Sequence, residues 1–412
     1  MANIPKIRFK GFTGKWEQRK LGNVATFSKG CGYSKNDLIN AGTPIILYGR
    51  LYTMYETVIS NINTFVKEQP SSIFSSGGEV IVPASGETAA DIARASVVRN
   101  SNVLLGGDLN IIIPEISISP IFLALTISNG NVKKELAKKA QGKSIVHIHN
   151  QDLKEINILF PISNEQQRIG AFFEKIDTLI NKNQYKLESL QKFKKAMLQK
   201  MFPKAGSSQP EIRFKGFTGA WEQRKLGDEM TVTSVKRILQ SDWTSEGIRF
   251  LRARDIVSAY KNEQPTDYLY ISKEKYEEYS ALSGKVAIGD MLVTGVGTIG
   301  IPYLISNSKP VYFKDGNIIW FQNKQKIDGS FFYYSFCGKA IQQFVKNSAG
   351  IGTVGTYTIE SGKKTPISLP SKDEQKAIGA FFSNLDNFIT LHQRKLDSLQ
   401  KLKKAMLQKM FA

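Results

Sequence analysis

Two arginines, Arg252 and Arg254, stand two residues apart in "FLRARDI", and Tyr48 and Arg50 hold the matching places in "ILYGRLY". On a strand that spacing puts both side chains on one face. Arginine makes paired hydrogen bonds to guanine and grips phosphate oxygens, so the chemistry on offer is recognition of nucleic acid. Salt bridging inside the fold is the competing use. Two loops of small residues, "PASGETAAD" and "TGVGTIG", let backbone approach a groove closely. With them come Ser85, Thr88 and the nearby Arg94 in one half of the chain, and Thr294 and Thr298 in the other. Lys29, Lys35, Lys143, Lys236, Arg237 and Lys285 are candidate phosphate contacts.

Catalytic constellations are harder to find. "GVGTIG" (Gly295 to Gly300) fits a dinucleotide glycine pattern, but Pro302 and a second apolar run follow it, which predicts strand–loop–strand. "GKS" at Gly142 has Ala137 where a phosphate loop needs glycine. The Asn/Asp-Pro-Pro-Tyr signature of amino-methyltransferases needs a Pro-Pro pair, and the chain has none. Asp267 and Glu274 are the local carboxylates a nuclease metal would need, without the usual apolar frame. His147 and His149 of "HIH" would share one strand face, giving two metal ligands and no third; His392 falls in a helix. Cys31 and Cys337 form no metal spacing. No catalytic or metal-ligating residue is assigned, and no cofactor is expected to reside in this chain.

The 412 residues carry a formal net charge of +20, about +11 of it in residues 1–205 and about +9 in the rest. Both halves are therefore basic, which points to a polyanion. An apolar fraction of 41% belongs to a globular protein. The first residues lack the apolar run of a signal peptide. "LNIIIPEISISPIFLALTIS" is broken by Pro114, Glu115 and Pro120, which predicts buried strands and a helix, not a membrane span. The two cysteines are expected to be reduced thiols in a cytoplasmic protein.

These candidates sit inside a duplicated frame. "IRFKGFTGKWEQRKLG" (Ile7 to Gly22) recurs as "IRFKGFTGAWEQRKLG" (Ile212 to Gly227). "EQQRIGAFF…LQKFKKAMLQKMF", ending at Phe202, recurs as "EQKAIGAFF…LQKLKKAMLQKMF", ending at Phe411. The second pair holds no proline and is dense in Lys, Gln, Leu, Met and Ala, so it predicts two long helices. Asn164 and Asp373 are expected N-caps, with Gln167 completing a capping box in the first copy only. Ile176, Ile180, Asn183, Leu187, Leu190, Lys194, Met197 and Met201 step by fours and threes, as do Leu385, Ile389, His392, Leu396, Leu399, Lys403, Met406 and Met410. That is a coiled-coil seam, and the two helices are expected to pair antiparallel about a pseudo-twofold axis, each about 55–60 Å long. Asn183 and His392, equivalent polar seam residues, are expected to set register or to stand as plain polar gaps in the seam.

The segments between share little identity but keep landmarks in order. "GGEVIVPASGET" matches "IGDMLVTGVGTI", and "GGDLNIIIP" matches "FKDGNIIWF". Strand-like runs lead, and one short helix follows near "SPIFLALTISNGNVKKELAKKA" or "GSFFYYSFCGKAIQQFVKNSA". The expected fold is α+β: two homologous strand-rich domains, residues 1–163 and 211–371, long helices at 164–203 and 372–412, and a linker at 204–210.

In this layout the chain resembles, over its whole length, the specificity subunit of a type I restriction–modification enzyme. The marks are the doubled "RFKGFTGxWEQRKLG", the domains closing in "INILFP" and "ISLP", and the doubled long helices. The resemblance implies a non-catalytic subunit with two target recognition domains held apart by an antiparallel coil, reading a bipartite double-stranded DNA site with a fixed spacer. It implies two modification subunits, carrying S-adenosylmethionine, and two restriction subunits, using ATP and Mg²⁺, as partners, and no membrane. Phe9, Phe12 and Trp16, with Phe214, Phe217 and Trp221, are read as packing between domain and coil or as docking for two identical partners. Identity between the copies marks the frame, and recognition belongs to what diverged.

Overall fold

The computed structural model describes residues 5–142, 144–204, 206–313, 318–349 and 355–411. They group into two compact units, residues 1–185 with 393–412, and residues 186–392.

The first unit is built on a five-stranded sheet in the order Ala25–Lys29, Leu109–Pro114, Val80–Pro83, Ser96–Val98, Val58–Ile59. Successive side chains of a strand point to opposite faces, and both faces here are covered. Val80, Val82 and Ile112 pack against Phe122, Leu123 and Ile127 of the helix Pro120–Ser128, with Ile169 and Phe173 of the first long helix. Ile81, Ile111 and Val98 pack the other way, against Ile46, Leu51 and Leu105. Ile46 and Leu105 belong to a small second sheet in which Thr43–Ile46 runs parallel to Leu104–Leu105.

The second unit repeats this plan. Its main sheet runs Thr231–Thr233, Ile318–Gln322, Met291–Thr294, Pro302–Leu304. Met291, Val293, Ile319 and Phe321 face Phe331 and Phe382, whereas Leu292, Ile318 and Trp320 face Phe250 and Tyr312. Here too the second sheet holds a parallel pair, Ile248–Leu251 with Val311–Phe313. The ordered landmarks therefore mark equivalent strands. "GVGTIG" is a loop between the strands Met291–Thr294 and Pro302–Leu304, as its proline predicted. One buried carboxylate holds the turn before the equivalent central strand of each unit. Glu79 accepts from the Ser76 and Gly77 amides, and Asp290 from the Ala287 and Asn323 amides and the Trp320 indole.

The expected single short helix is two in each unit: Pro120–Ser128 then Gly130–Lys139, and Gly329–Cys337 then Lys339–Ser348. At Gly130 φ is +60° and a Cβ would fall onto the Phe411 carbonyl oxygen, so the break needs glycine.

The long helices run Ser163–Lys200 and Lys372–Met410. Both begin one residue before the expected caps. Ser371 caps the second, accepting from Glu374 N through Oγ and from Gln375 N through its carbonyl, so Asp373 lies in the first turn. In the first, the Ile162 carbonyl accepts from Glu165 N and Gln166 N, and Asn164 is likewise inside the helix. Within the first unit Phe173 packs on Phe411 and Asp177 pairs with Lys403. Within the second, Lys194 pairs with Asp386 and Phe202 packs on Phe382. In both, one index rises as the other falls, so the helix segments pair antiparallel. The seam residues Ile176, Leu187, Met201, Leu385, Ile389, Leu396 and Met410 are buried. Asn183 is buried and donates to the Leu179 carbonyl of its own helix, and His392 is half-buried.

The doubled opening motif is a brace. Arg8 Nε and Nη2 donate to the two carboxylate oxygens of Glu165 at 2.8 and 2.6 Å, while Nη1 donates to the Gly14 carbonyl. Arg213 does the same with Glu374, at 2.6 and 2.7 Å, and with Gly219. Glu17–Lys20 then pairs antiparallel with Asn157–Phe160, and Glu222–Lys225 with Pro366–Leu369, closing each domain's first strand on its last. Phe9 stacks edge-on to Phe172, and Phe214 to Phe381. Trp16 and Trp221 are buried in their units' cores, against Phe122 and Phe331. Of the two readings for these aromatics, packing onto the helices holds for these four, and the two tryptophans are not open to a partner. Phe12 and Phe217 are half-buried in the turns. Among the described residues, no helix is long and apolar enough to cross a membrane.

Candidate nucleic-acid interface

In the first unit the sequence-predicted residues converge on the loops around one short ladder. Ser85–Gly86 pairs with Val146–His147, and Ser85 faces His147 directly, which brings Ser85 Oγ within 3.1 Å of His147 Nδ1. This contact is a cross-strand pair. The Tyr52 hydroxyl donates to the Ser85 carbonyl at 2.8 Å, and burial holds that phenol well above its ordinary pKa, so it stays a donor. Tyr48, 38% exposed, stands edge-on to Tyr52. Arg94 lies over the rings of Tyr52 and Tyr55 at 5.4 Å from each and donates to the Leu51 carbonyl and to Asp91. Thr88 caps the turn Ala89–Ile92, its hydroxyl bonded to Asp91. The patch thus exposes Tyr48, Thr88, His147 and His149 over a buried Ser85 and a half-buried Tyr52 and Arg94.

Two expectations change here, and one residue lies outside what the structure describes. Arg50 is the first residue of the helical turn Arg50–Thr53, and its guanidinium is turned to Glu56 at 2.8 Å and the Asn61 carbonyl at 2.7 Å. It is mostly covered and leaves Tyr48 as the exposed member of that pair. His149 lies beyond the strand, at the start of the helix Asn150–Lys154, so the two histidines do not share a strand. Lys143 lies outside the described residues.

In the second unit Arg252 and Arg254 share no strand face. The strand ends at Leu251; Arg252 precedes the helix Ala253–Tyr260 and Arg254 is inside it. Only 3% of Arg252 is exposed. It donates to both carboxylate oxygens of Asp255 at 3.0 Å and to Asp267 Oδ2 at 2.8 Å, and these bonds raise its already high pKa further. It is a structural cation. Arg254, with 61% of its side chain exposed, touches the same Asp267 oxygen at 2.6 Å. The Arg252 bond in turn holds the Asp267 carboxyl below its usual range. Thr294 is buried: its hydroxyl donates to the Thr298 carbonyl at 2.5 Å and accepts from Ile301 N. It shapes the loop that exposes Thr298. Lys29, Lys35, Lys236, Arg237 and Lys285 are exposed, and Lys285 is paired with Glu277. Sequence reasoning missed the stacking of Arg249 over Tyr268 at 4.4 Å, because Tyr268 lies 19 residues on, just before the strand Leu269–Ile271 that pairs with the Arg249 strand. Among the described residues, no His, Cys, Asp and Glu cluster could hold a metal ion.

Both domains therefore offer exposed aromatic, hydroxyl and cationic groups on braced loops, which is equipment for binding. The family model described as "Type I restriction modification DNA specificity domain" matches residues 13–192 and 219–401, one match per copy. The chain belongs to that family. It is 27% identical over 290 residues to the type I restriction enzyme MjaVIII specificity subunit of Methanocaldococcus jannaschii, covering 66% of this chain and 65% of that protein. It is 26% identical over 307 residues to the putative MjaX specificity subunit of the same organism, covering 70% and 65%. The chain thus spans just under two thirds of the length of these relatives. The crystal structure of a type I restriction-modification S subunit from M. genitalium shares the fold with a TM-score of 0.65 over 99% of both chains, at 15% identity.

Proposed function

We propose that this chain is the non-catalytic, sequence-reading subunit of a type I restriction–modification complex, with each domain reading one half of a bipartite double-stranded DNA site across a fixed spacer. The observation that carries the proposal is one frame built twice around two different exposed surfaces. The Arg8–Glu165 and Arg213–Glu374 braces are near-superposable in chemistry, while the loops they support present Tyr48, Thr88 and His147 in one copy and Arg254 and Thr298 in the other. A surface that reads sequence must differ between two half-sites, and a frame need not. The charge of +20 supplies affinity through phosphates, and groove contacts supply choice.

Two equivalent partner sites are supported by a repeated cleft. In the first unit it is lined by Asp177, Gln400, Lys403, Lys404, Leu407 and Gln408. In the second it is lined by their counterparts Asp386, Gln191, Lys194, Lys195, Leu198 and Gln199. Two modification subunits would bring S-adenosylmethionine, and two restriction subunits ATP and Mg²⁺, in the cytoplasm.

Exchange of residues 228–370 for the equivalent segment of another such subunit tests the reading. Methylated positions mapped in DNA from cells carrying the chimera with its partners should change in one half of the site only. A change in both halves, or in neither, overturns it.

A further inference from the structure

Each recognition domain meets its long helix first at a pivot. Gln166 Oε1 accepts from Ser119 N at 2.9 Å, and in the other copy Gln375 Oε1 accepts from Asp328 N at 3.0 Å. Glutamine Nε2 is tied to the Pro161 or Pro370 carbonyl, so the acceptor is fixed in place. Beyond it the helix runs through the domain core, with Ile169 and Phe173 in the first unit and Ile378 and Phe382 in the second, and apolar packing of this kind is not directional. A further polar contact recurs in both copies eleven residues along, on Asp177 and Asp386, about 16 Å up each helix.

There the two carboxylate oxygens divide their work. Asp177 Oδ1 takes Lys403 Nζ at 2.5 Å, and Asp386 Oδ1 takes Lys194 Nζ at 2.5 Å. These two ion pairs are the same pair twice, at the 209-residue offset of the helices. The remaining oxygen faces the domain, and the domains answer it differently. Thr57 Oγ1, from the segment before the strand Val58–Ile59, donates to Asp177 Oδ2 at 3.0 Å. The Tyr334 hydroxyl, from the helix Gly329–Cys337, donates to Asp386 Oδ2 at 2.7 Å. The coil keeps one anchored acceptor, and two diverged domains have each supplied a hydroxyl to it from unrelated elements.

We infer that Asp177 and Asp386 are positioning residues that fix the angle of each recognition domain on its helix pair and thereby limit the spacer lengths the subunit accepts. The lysine aims the carboxylate, and a hydrogen bond to a charged acceptor is roughly twice as strong as a neutral one. The two anchors are not equally loaded. In the first unit Arg99 also pairs with Glu174, on the same helix, but Glu174 is matched by Ser383 in the second. Tyr334 therefore carries more of its domain's angle than Thr57 does.

The inference rests on the DNA-reading proposal for its consequence but not for its geometry, and its test has two arms. In the assembled complex, Tyr334→Phe should relax discrimination against spacers longer or shorter by one base pair by roughly tenfold, the loss of one hydrogen bond to a charged group. Half-site preference should stay unchanged. Thr57→Val should relax it less, and Thr57→Ser, which keeps the hydroxyl, should restore it. Equal loss of affinity on every spacer, or intact discrimination, overturns the inference. The second arm needs no DNA. Spin labels at Ser308 and Asn384, both in the second unit and exposed, with Cys31 and Cys337 replaced by alanine, should give a broader distance distribution for Tyr334→Phe than for its parent. An unchanged width overturns the inference. A wild-type complex indifferent to spacer length would instead sink the bipartite reading and leave the angle to be judged by the labels.

Discussion

Arg8 spans both carboxylate oxygens of Glu165, a residue with no exposed surface, from 157 positions away in the chain. The brace ties the opening motif to the first turn of the long helix, and burial makes it unforgiving, because removing one partner strands the other's charge. Arg8→Ala should cost about 3–5 kcal/mol, read by urea denaturation. Hydrogen exchange should place the loss in the first unit, and Arg213→Ala should place it in the second.

Arg252 and Arg254 should separate stability from binding. Arg252→Ala leaves the buried Asp255 without its bidentate partner and should also cost about 3–5 kcal/mol. Arg254→Ala breaks an exposed pair and should change stability by about 1 kcal/mol or less. If Arg254 meets a phosphate, its loss should weaken DNA binding across sequences and reduce the salt slope of log K by about 1. A fold-breaking Arg254→Ala would return that residue to a structural role.

The turn after each opening strand leaves little room for a side chain. A Cβ on Gly22 would lie 3.0 Å from Lys154 Cβ and 3.1 Å from its carbonyl, and one on Gly227 would lie 2.9 and 3.0 Å from the same atoms of Lys363. Gly22→Ala and Gly227→Ala should each destabilise by about 1–3 kcal/mol, measured by thermal melting.

Burial pushes the Cys337 thiol up to about 12. The native state therefore favours the protonated form. Its contribution to stability is complete below the ordinary thiol pKa near 9 and is lost as pH rises toward 12. Native protein at pH 8 should alkylate at Cys337 more slowly than unfolded chain does, by roughly a hundredfold or more. Equal rates would show that the sulfur is in water.

Much of this architecture was legible because repetition is read by comparison within one chain. The long helices, their seam, and the equivalence of "GGEVIVPASGET" with "IGDMLVTGVGTI" all stand in the fold. What sequence could not supply was the end of a strand. "FLRARDI" reads as continuous strand, but Asp255 accepts from the Arg252 amide and starts a helix there, which turns Arg252 inward and Arg254 out. Arg50 fails as a surface cation for a related reason, since Glu56 lies six residues away and only a helical turn brings it into reach. The pairing of Ser85 with His147 joins residues 62 apart and has no local signal.

Each domain's first strand is hydrogen-bonded to its last, Glu17–Lys20 to Asn157–Phe160 and Glu222–Lys225 to Pro366–Leu369. A segment whose two ends lie side by side can be lifted out and replaced at a single seam without redirecting the chain on either side. Heredity can therefore act on this protein in whole-domain steps. One crossover in each of the near-identical flanks delivers a new vocabulary for half a site, while the grammar that joins the halves is inherited intact.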